Sequence, residues 1–327
     1  MSSFDNKITA RAHTNIALIK YWGKQNAKLK IPTTNSFSLT LDKFYTETSV
    51  TFKENYTADR IIFNGKPLSD SKAARIVALL DVIRGMANQD IYAEVNTTNM
   101  VPTSAGFASS SSGFAALAAA ACKSIGLNLS KKELSRVARR GSGSACRSIY
   151  GGFVEWHKGL GDRTSFASPF NEQPDWNLNV IAVMVNQAEK TMSSTKGMEI
   201  SKKTSPYYNA WKQVCKNDLK NIKKAIKNRD FEKLGSISEE NAMRMHALTL
   251  SASPDYTYFD GKSLQVIKTI QSLRSNGIPC YFTMDAGPNI KVLVEPQNTD
   301  KVVQELKSLF STDQIVVAAP GPGIEYL

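Results

Sequence analysis

The 327-residue chain carries 41 Lys and Arg against 29 Asp and Glu, a formal net charge of +12, with 42% hydrophobic and 21% charged residues. That balance excludes a disordered chain and suits one large domain or two ordinary ones, while the basic excess favours anionic partners. Cys122, Cys146, Cys215 and Cys280 are far apart and suggest neither a disulfide framework nor a zinc site, and no apolar run reaches the ~18 residues of a membrane span.

The N-terminal MSSFDNKI is polar and lacks a signal-peptide core, so a cytoplasmic protein with reduced thiols is expected. The first sixty residues read as strands: YTETSVTFK (45–53) alternates in character, and RIIFNGKPL carries an Asn64-Gly65 hairpin turn. Ala73, Ile76, Val77, Leu80 and Ile83 have helical spacing, which predicts a helix over 70–88. IYAEV (91–95) reads as a strand, and a Pro/Ser/Gly loop then opens an Ala-rich helix ending near Ile125. Ser130 and Glu133 form a capping box at the start of another helix.

LNVIAVMV (178–185) is a continuous apolar run and reads as a buried central strand. Helices follow over about 204–228, 230–249 and 260–276. CYFTM (280–284) and IKVLVE (290–295) read as strands around an Asp-Ala-Gly-Pro turn. A helix near 299–310 and the strand QIVVAA come last. Strands and helices mix without strict βαβ alternation, so an α+β fold is expected. We place a boundary near residue 186, with halves 1–185 and 186–327 sharing a cleft. The lysine-rich stretch Lys212–Lys233 is interspersed with Asp218, Asp230 and Glu232 and reads as the solvated face of a helix. With no arginine-rich tail or nucleic-acid motif, no nucleic-acid partner is expected. His13, His157 and His246 are scattered and form neither a metal cluster nor a Ser-His-Asp set. The tail APGPGIEYL has unusual Pro/Gly spacing to which no function attaches.

The most informative stretch is VPTSAGFASSSSGFAALAAA (101–120), in which four serines, Ser109 to Ser112, directly precede the Ala-rich helix. Free N–H groups and the macrodipole at a helix start make an anion site. The hydroxyls add donors for phosphate and an oxygen ligand for Mg²⁺. No Gly-Lys-Ser/Thr closes the loop, so it is not a Walker A loop.

This loop resembles the second motif of the GHMP kinases, which wraps ATP phosphates. ARAHTNIALIKYWGK (10–24), GSGSACRSIYGG (141–152), SSTKGM (193–198), NAMRMHA (241–247) and YFTMDAGPN (281–289) resemble segments of the diphosphomevalonate decarboxylases within that superfamily. The resemblance implies an N-terminal half like domain 2 of ribosomal protein S5, a ferredoxin-like C-terminal half, and a homodimer with no membrane partner. It also implies ATP, Mg²⁺ and mevalonate 5-diphosphate in the cleft between the halves.

Residue by residue, the resemblance makes Asp285 the carboxylate facing the C3 hydroxyl, completed by Lys20 and by Arg147, which would hold the substrate carboxylate. Tyr21, Lys24, Ser142, Gly143, Ser144 and Ser194 map to the remainder of the substrate site. Ser104, Gly106, Ala108, Ser109, Ser110, Ser111 and Lys190 map to the nucleotide, with Ser109 also a ligand for Mg²⁺. Thr195 departs from bacterial relatives that carry Arg there. Such a set suits a β-hydroxy acid, which lacks a carbonyl to accept electrons and loses CO₂ once its hydroxyl becomes a leaving group. A GHMP-type kinase that stops at phosphorylation and a mevalonate 5-phosphate decarboxylase remain the alternatives; an RNA-binding protein would leave the serine loop and Asp285 without a role.

Overall fold

The computed structural model describes residues 6–100, 109–186 and 191–327, and of Ser109 only the backbone. The first half runs β1 (Ile8–Ile19), β2 (Lys24–Asn26), β3 (Ile31–Pro32), β4 (Ser36–Lys53), β5 (Arg60–Phe63), β6 (Lys66–Pro67), helix α1 (Asp70–Ala87) and β7 (Tyr92–Asn99). Helices α2 (Ser109–Ser124) and α3 (Lys131–Gly141), a 3₁₀ segment (Gly143–Ile149), β8 (Phe153–His157) and β9 (Phe166–Asn171) follow. The second half contains β10 (Asn179–Val183), α4 (Ser194–Thr204), α5 (Tyr208–Lys227), α6 (Phe231–Leu250), α7 (Gly261–Ser275), β11 (Cys280–Met284), β12 (Ile290–Val294), α8 (Pro296–Lys307) and β13 (Ile315–Ala318). The short β14 (Glu325–Tyr326) closes the described chain.

The first sheet is built on the long antiparallel pair of β1 and β4, with Ala10 opposite Thr48 and Ile16 opposite Leu39. It extends through β7, β5 and β6 on one side and β14 on the other, while β8 and β9 pair off the near end of β4. The β5–β6 turn has both Asn64 (φ 48°) and Gly65 (φ 76°) in the left-handed region, as a two-residue hairpin requires. One face is covered by α2, whose residues Ala115 to Ala121 are nearly or fully buried. Their small side chains let the helix lie close beneath the sheet. The capping box of Ser130 and Glu133 opens α3 where the sequence puts it.

The second sheet has the order β11-β12-β10-β13, all antiparallel. Val180 to Val183 are fully buried at its centre, as the continuous apolar run implies. This strand precedes the expected boundary at residue 186, yet it pairs with β12 and β13. The second sheet therefore begins before that point, because a strand apolar on both faces finds cover between two neighbours. The tail then crosses back from β13 to the first sheet. Gly321 N–H donates to Thr40 O at 2.8 Å, Ile324 N–H to Ile149 O at 3.1 Å, and Glu325 and Tyr326 pair with β1. A Cβ on Gly321 would come within 2.4 Å of Leu41 backbone, so only glycine fits this crossing.

Candidate active site

Two register shifts interrupt the pairing of β1 with β4, between His13 and Asn15 and between Ala17 and Ile19. Such irregularities re-aim side chains, and Asn15, Ala17 and Lys20 all line one cavity of about 200 Å³. The turn after β11 brings Asp285 to the same cavity, with its side chain 35% exposed. Lys20 Nζ donates to Asp285 Oδ1 at 2.8 Å and to Ala17 O at 2.7 Å. Lys291 Nζ, from β12, lies 3.2 Å from Asp285 Oδ2.

The electrostatics of this trio follow from burial. Burial pulls the Lys20 ammonium down to about 8, against the opposing pull of Asp285. Burial alone would push the Asp285 carboxyl up; Lys20 and Lys291 outweigh it and hold the group well below the usual carboxylate range. Asp285 is thus an ionised carboxylate clamped by two ammonium groups.

Arg147 is buried on the 3₁₀ segment. Its Nε donates to Asn15 Oδ1 at 3.1 Å and its Nη1 to Ser36 Oγ at 2.6 Å. These partners are neutral, so the guanidinium is positioned without being neutralised. Ser142, Gly143 and Ser144 line the cavity beside it. A Cβ at Gly143 would sit 2.9 Å from both the Tyr21 ring and its hydroxyl. Glycine is what lets Tyr21 pack edge-on against Trp156, with ring centroids 4.7 Å apart. The Tyr21 hydroxyl is buried and has no hydrogen-bond partner among the described residues.

Lys24, Lys30 and Arg75 add a cationic wall to the same cavity. Lys24 Nζ donates to Thr195 Oγ1 at 3.3 Å, Lys30 Nζ donates to Arg140 O, and Arg75 donates to Gly141 O at 3.3 Å. Burial, reinforced by Arg75, Lys24 and Arg140, pulls Lys30 down to about 8. Asp285 is the one acidic residue lining this cavity among the described residues. A site of this composition suits a polyanion. Ser194 and Thr195 join it from the first turn of α4, where Ser193 caps the helix.

Ser110, in the first turn of α2, lines this cavity and also an adjoining one of about 150 Å³. The second is walled by Phe63, Ile76, Thr97, Asn99, Phe114 and Leu117, a mix of apolar and few polar groups that suits an aromatic base. Ser111 is fully buried in α2, and its expected nucleotide contact stays with the reading proposed below. Ser104, Gly106, Ala108, the Ser109 side chain and Lys190 lie outside the described residues. Lys20, Tyr21, Lys24, Ser142, Gly143, Ser144, Arg147, Ser194 and Asp285 all line the larger cavity. Lys291 carries a sequence signal, a lone charge inside the apolar run IKVLV; Lys30, Arg75 and the apolar pocket carry none.

Solved structures with this mixed α+β arrangement establish a GHMP kinase-type enzyme fold: mevalonate diphosphate decarboxylase from Staphylococcus aureus is 46% identical, with each chain 98% covered and a TM-score of 0.95. Residues 12–167 match the family model "Diphosphomevalonate decarboxylase-like N-terminal domain", and residues 180–320 match "Mevalonate 5-diphosphate decarboxylase C-terminal domain". The diphosphomevalonate decarboxylase of Candida albicans is 32% identical over 317 residues, covering 91% of this chain and 87% of the relative. A solved structure of MDDEF in complex with MVAPP, AMPPCP and magnesium is 49% identical, with 98% of each chain covered and a TM-score of 0.94. The chain belongs to the diphosphomevalonate decarboxylase family.

Proposed function

We propose that this enzyme catalyses the ATP-dependent decarboxylation of mevalonate 5-diphosphate to isopentenyl diphosphate, releasing ADP, phosphate and CO₂. The observation that carries the reading is the Asp285 carboxylate held between Lys20 and Lys291, in a cavity whose other charged lining residues are all cations. Family membership and the likeness to the MVAPP and AMPPCP complex support it.

In this mechanism Asp285 accepts a hydrogen bond from the C3 hydroxyl and aims its oxygen at the γ-phosphorus. Because its two lysines hold the carboxyl well below the usual carboxylate range, it is a weak ground-state base; it takes the proton as the C3 oxygen bonds to the γ-phosphorus and the bond from that phosphorus to the bridging oxygen of ADP breaks. A loose phosphoryl-transfer transition state asks for positioning more than for deprotonation. The C3–O bond then breaks, phosphate leaves, and the electron pair of the C1–C2 bond becomes the C2=C3 bond as CO₂ departs. Arg147 holds the carboxylate until that bond breaks, and Lys20 offsets the charge that builds on the phosphoryl oxygens.

Ser110 and the α2 start support binding of the triphosphate, with the base in the apolar pocket. Tyr21, Lys24, Lys30, Arg75 and the α4 start hold the substrate diphosphate. Three cations on that wall favour a diphosphate over a monophosphate. Mg²⁺ fits this donor set as an ion that arrives on ATP. Among the described residues no group of three or more His, Cys, Asp or Glu could cage it, whereas hydroxyls and phosphates offer hard oxygens. When bound, it neutralises phosphate charge. The homodimer expected from the resemblance belongs to the same reading, with light scattering as its check. No described helix is long and apolar enough to cross a membrane, and we retain a cytoplasmic location.

The test supplies purified protein with Mg-ATP and carboxyl-labelled mevalonate 5-diphosphate and measures ADP and CO₂ together. Equal release supports the coupled reaction. ADP without CO₂ would make the protein a 3-kinase, and neither product would overturn the substrate assignment.

A further inference from the structure

The segment NAMRMHA matches the family but has no part in the chemistry above. It lies on α6 in the second half, and its first residue, Asn241, is fully buried. Asn241 Oδ1 accepts a hydrogen bond from the backbone N–H of Lys20 at 2.8 Å. Its Nδ2 donates to Asp218 Oδ2, on α5, also at 2.8 Å. Asp218 is buried and is held in turn by Arg244, with Nη1 3.1 Å from Oδ2. The orientation of the amide is therefore dictated. Asp218 as a carboxylate accepts only, so it takes the NH₂ side and presents the oxygen to Lys20.

Lys20 is the first residue past β1, where the strand ladder has ended. Its N–H is buried and has left the sheet, so its acceptor must come from elsewhere, and a side chain of the other half supplies it. The same residue's ammonium bonds Asp285 and Ala17 O. The backbone of Lys20 is thus pinned by the second half at one point while its side chain reaches the carboxylate at another.

We propose that Asn241 is a positioning residue: with Asp218 it fixes the backbone of Lys20 so that the ammonium meets Asp285, coupling the register of α5 and α6 to the reacting centre. This rests on the role given to Lys20 and Asp285 under the proposed function.

The test uses the full chain and four variants: Asn241→Leu, Asn241→Asp, Asp218→Asn, and the double exchange Asn241→Asp with Asp218→Asn. In the double exchange the amide at position 218 donates back to the carboxylate at position 241, and that carboxylate still accepts from Lys20 N–H, so both hydrogen bonds are restored. Displacement of a reacting group by ~1 Å costs about 100-fold. Asn241→Leu and Asn241→Asp are therefore expected to lose about that much in kcat, with KM for both substrates nearly unchanged. The double exchange is expected to recover to within about tenfold of the parent. Hydrogen exchange of the Lys20 amide gives a readout free of catalysis, slow in the parent and the double exchange and fast in Asn241→Leu. Should Asn241→Leu not fold, Asn241→Asp and the double exchange carry the comparison. Unchanged kcat in a folded single variant, a loss confined to KM, or no recovery in the double exchange would overturn the proposal. A parent that released neither ADP nor CO₂ would instead refute the proposed function, leaving the amide-exchange result to decide this inference.

Discussion

Replacing Lys291 by Met keeps the bulk of the side chain in β12 and removes one of the two cations on Asp285. At 3.2 Å and an effective dielectric near 20, the lost attraction is about 5 kcal/mol. Most of this does not appear as a net cost. The buried ammonium no longer has to be desolvated, Lys20 remains at 2.8 Å, and Asp285 is a third exposed to solvent, so a net ~2 kcal/mol is the reasonable scale. Expressed as catalysis, that is about a 30-fold fall in kcat. The pH profile should move as well. Asp285 is depressed in the parent, so activity that depends on its ionised form is present above its pKa and lost as pH falls through it. Without Lys291 that acidic limb should rise toward the ordinary carboxylate value near ~4. At the alkaline end Lys20, relieved of a neighbouring positive charge that helps lower it, should hold its proton to a pH above about 8. Initial rates of ADP release from about pH 3 to 10, with folding checked by circular dichroism, test this. An unchanged kcat and unmoved limbs in Lys291→Met would refute the two-lysine clamp.

Asp285→Asn keeps shape and removes charge, so turnover should be abolished while calorimetry still detects mevalonate 5-diphosphate binding; retention of most activity would remove Asp285 from the mechanism. Gly143→Ala forces a methyl against Tyr21 and Trp156, an overpacking of about 1–3 kcal/mol, so KM for the diphosphate substrate should rise roughly tenfold or more. Arg75→Ala removes a cation from the wall it shares with Lys24 and Lys30 and should raise that KM by ~10–100-fold with kcat nearly kept, which steady-state kinetics would separate. His246 is fully buried, with its ring centroid 4.7 Å from that of Phe259, and burial pulls it down to about 3. A histidine lowered by folding stabilises fully above its unfolded pKa near ~6.5 and loses that contribution as pH falls toward about 3. Melting temperatures should therefore drop through this window more steeply in the parent than in His246→Leu.

Elements with a strong local signal were legible in the chain itself: the Asn64-Gly65 hairpin, the Ser130–Glu133 box and the apolar strand at 178–185. Helix α4 was not read, because STKGMEISKKT has a weak apolar stripe and owes its cover to partners such as Tyr256 and Tyr258, which would crowd any Cβ on Gly197. The clustering of Lys20, Arg147 and Asp285 was reached by resemblance, since no spacing rule brings positions 20, 147 and 285 together. Lys30 and Arg75 escaped notice for a physical reason: each belongs to an ordinary polar surface pattern, and only the packing of the β2–β3 hairpin and α1 turns them into one wall. Arg139 illustrates how that wall is set. Fully buried on α3, it bonds Asp162 at 2.6 Å and Leu29 O, holding the hairpin that carries Lys30.

The crossing of the tail from β13 to β1 has a consequence for biosynthesis. The edge of β1 that receives Glu325 and Tyr326 is separated from its partner by nearly all of the described residues. Until that partner is made, the edge stays open, an exposed strand of the kind that invites pairing with another chain. A chain cut after β13 would hold every residue of the catalytic trio and lack the strap that joins its two sheets.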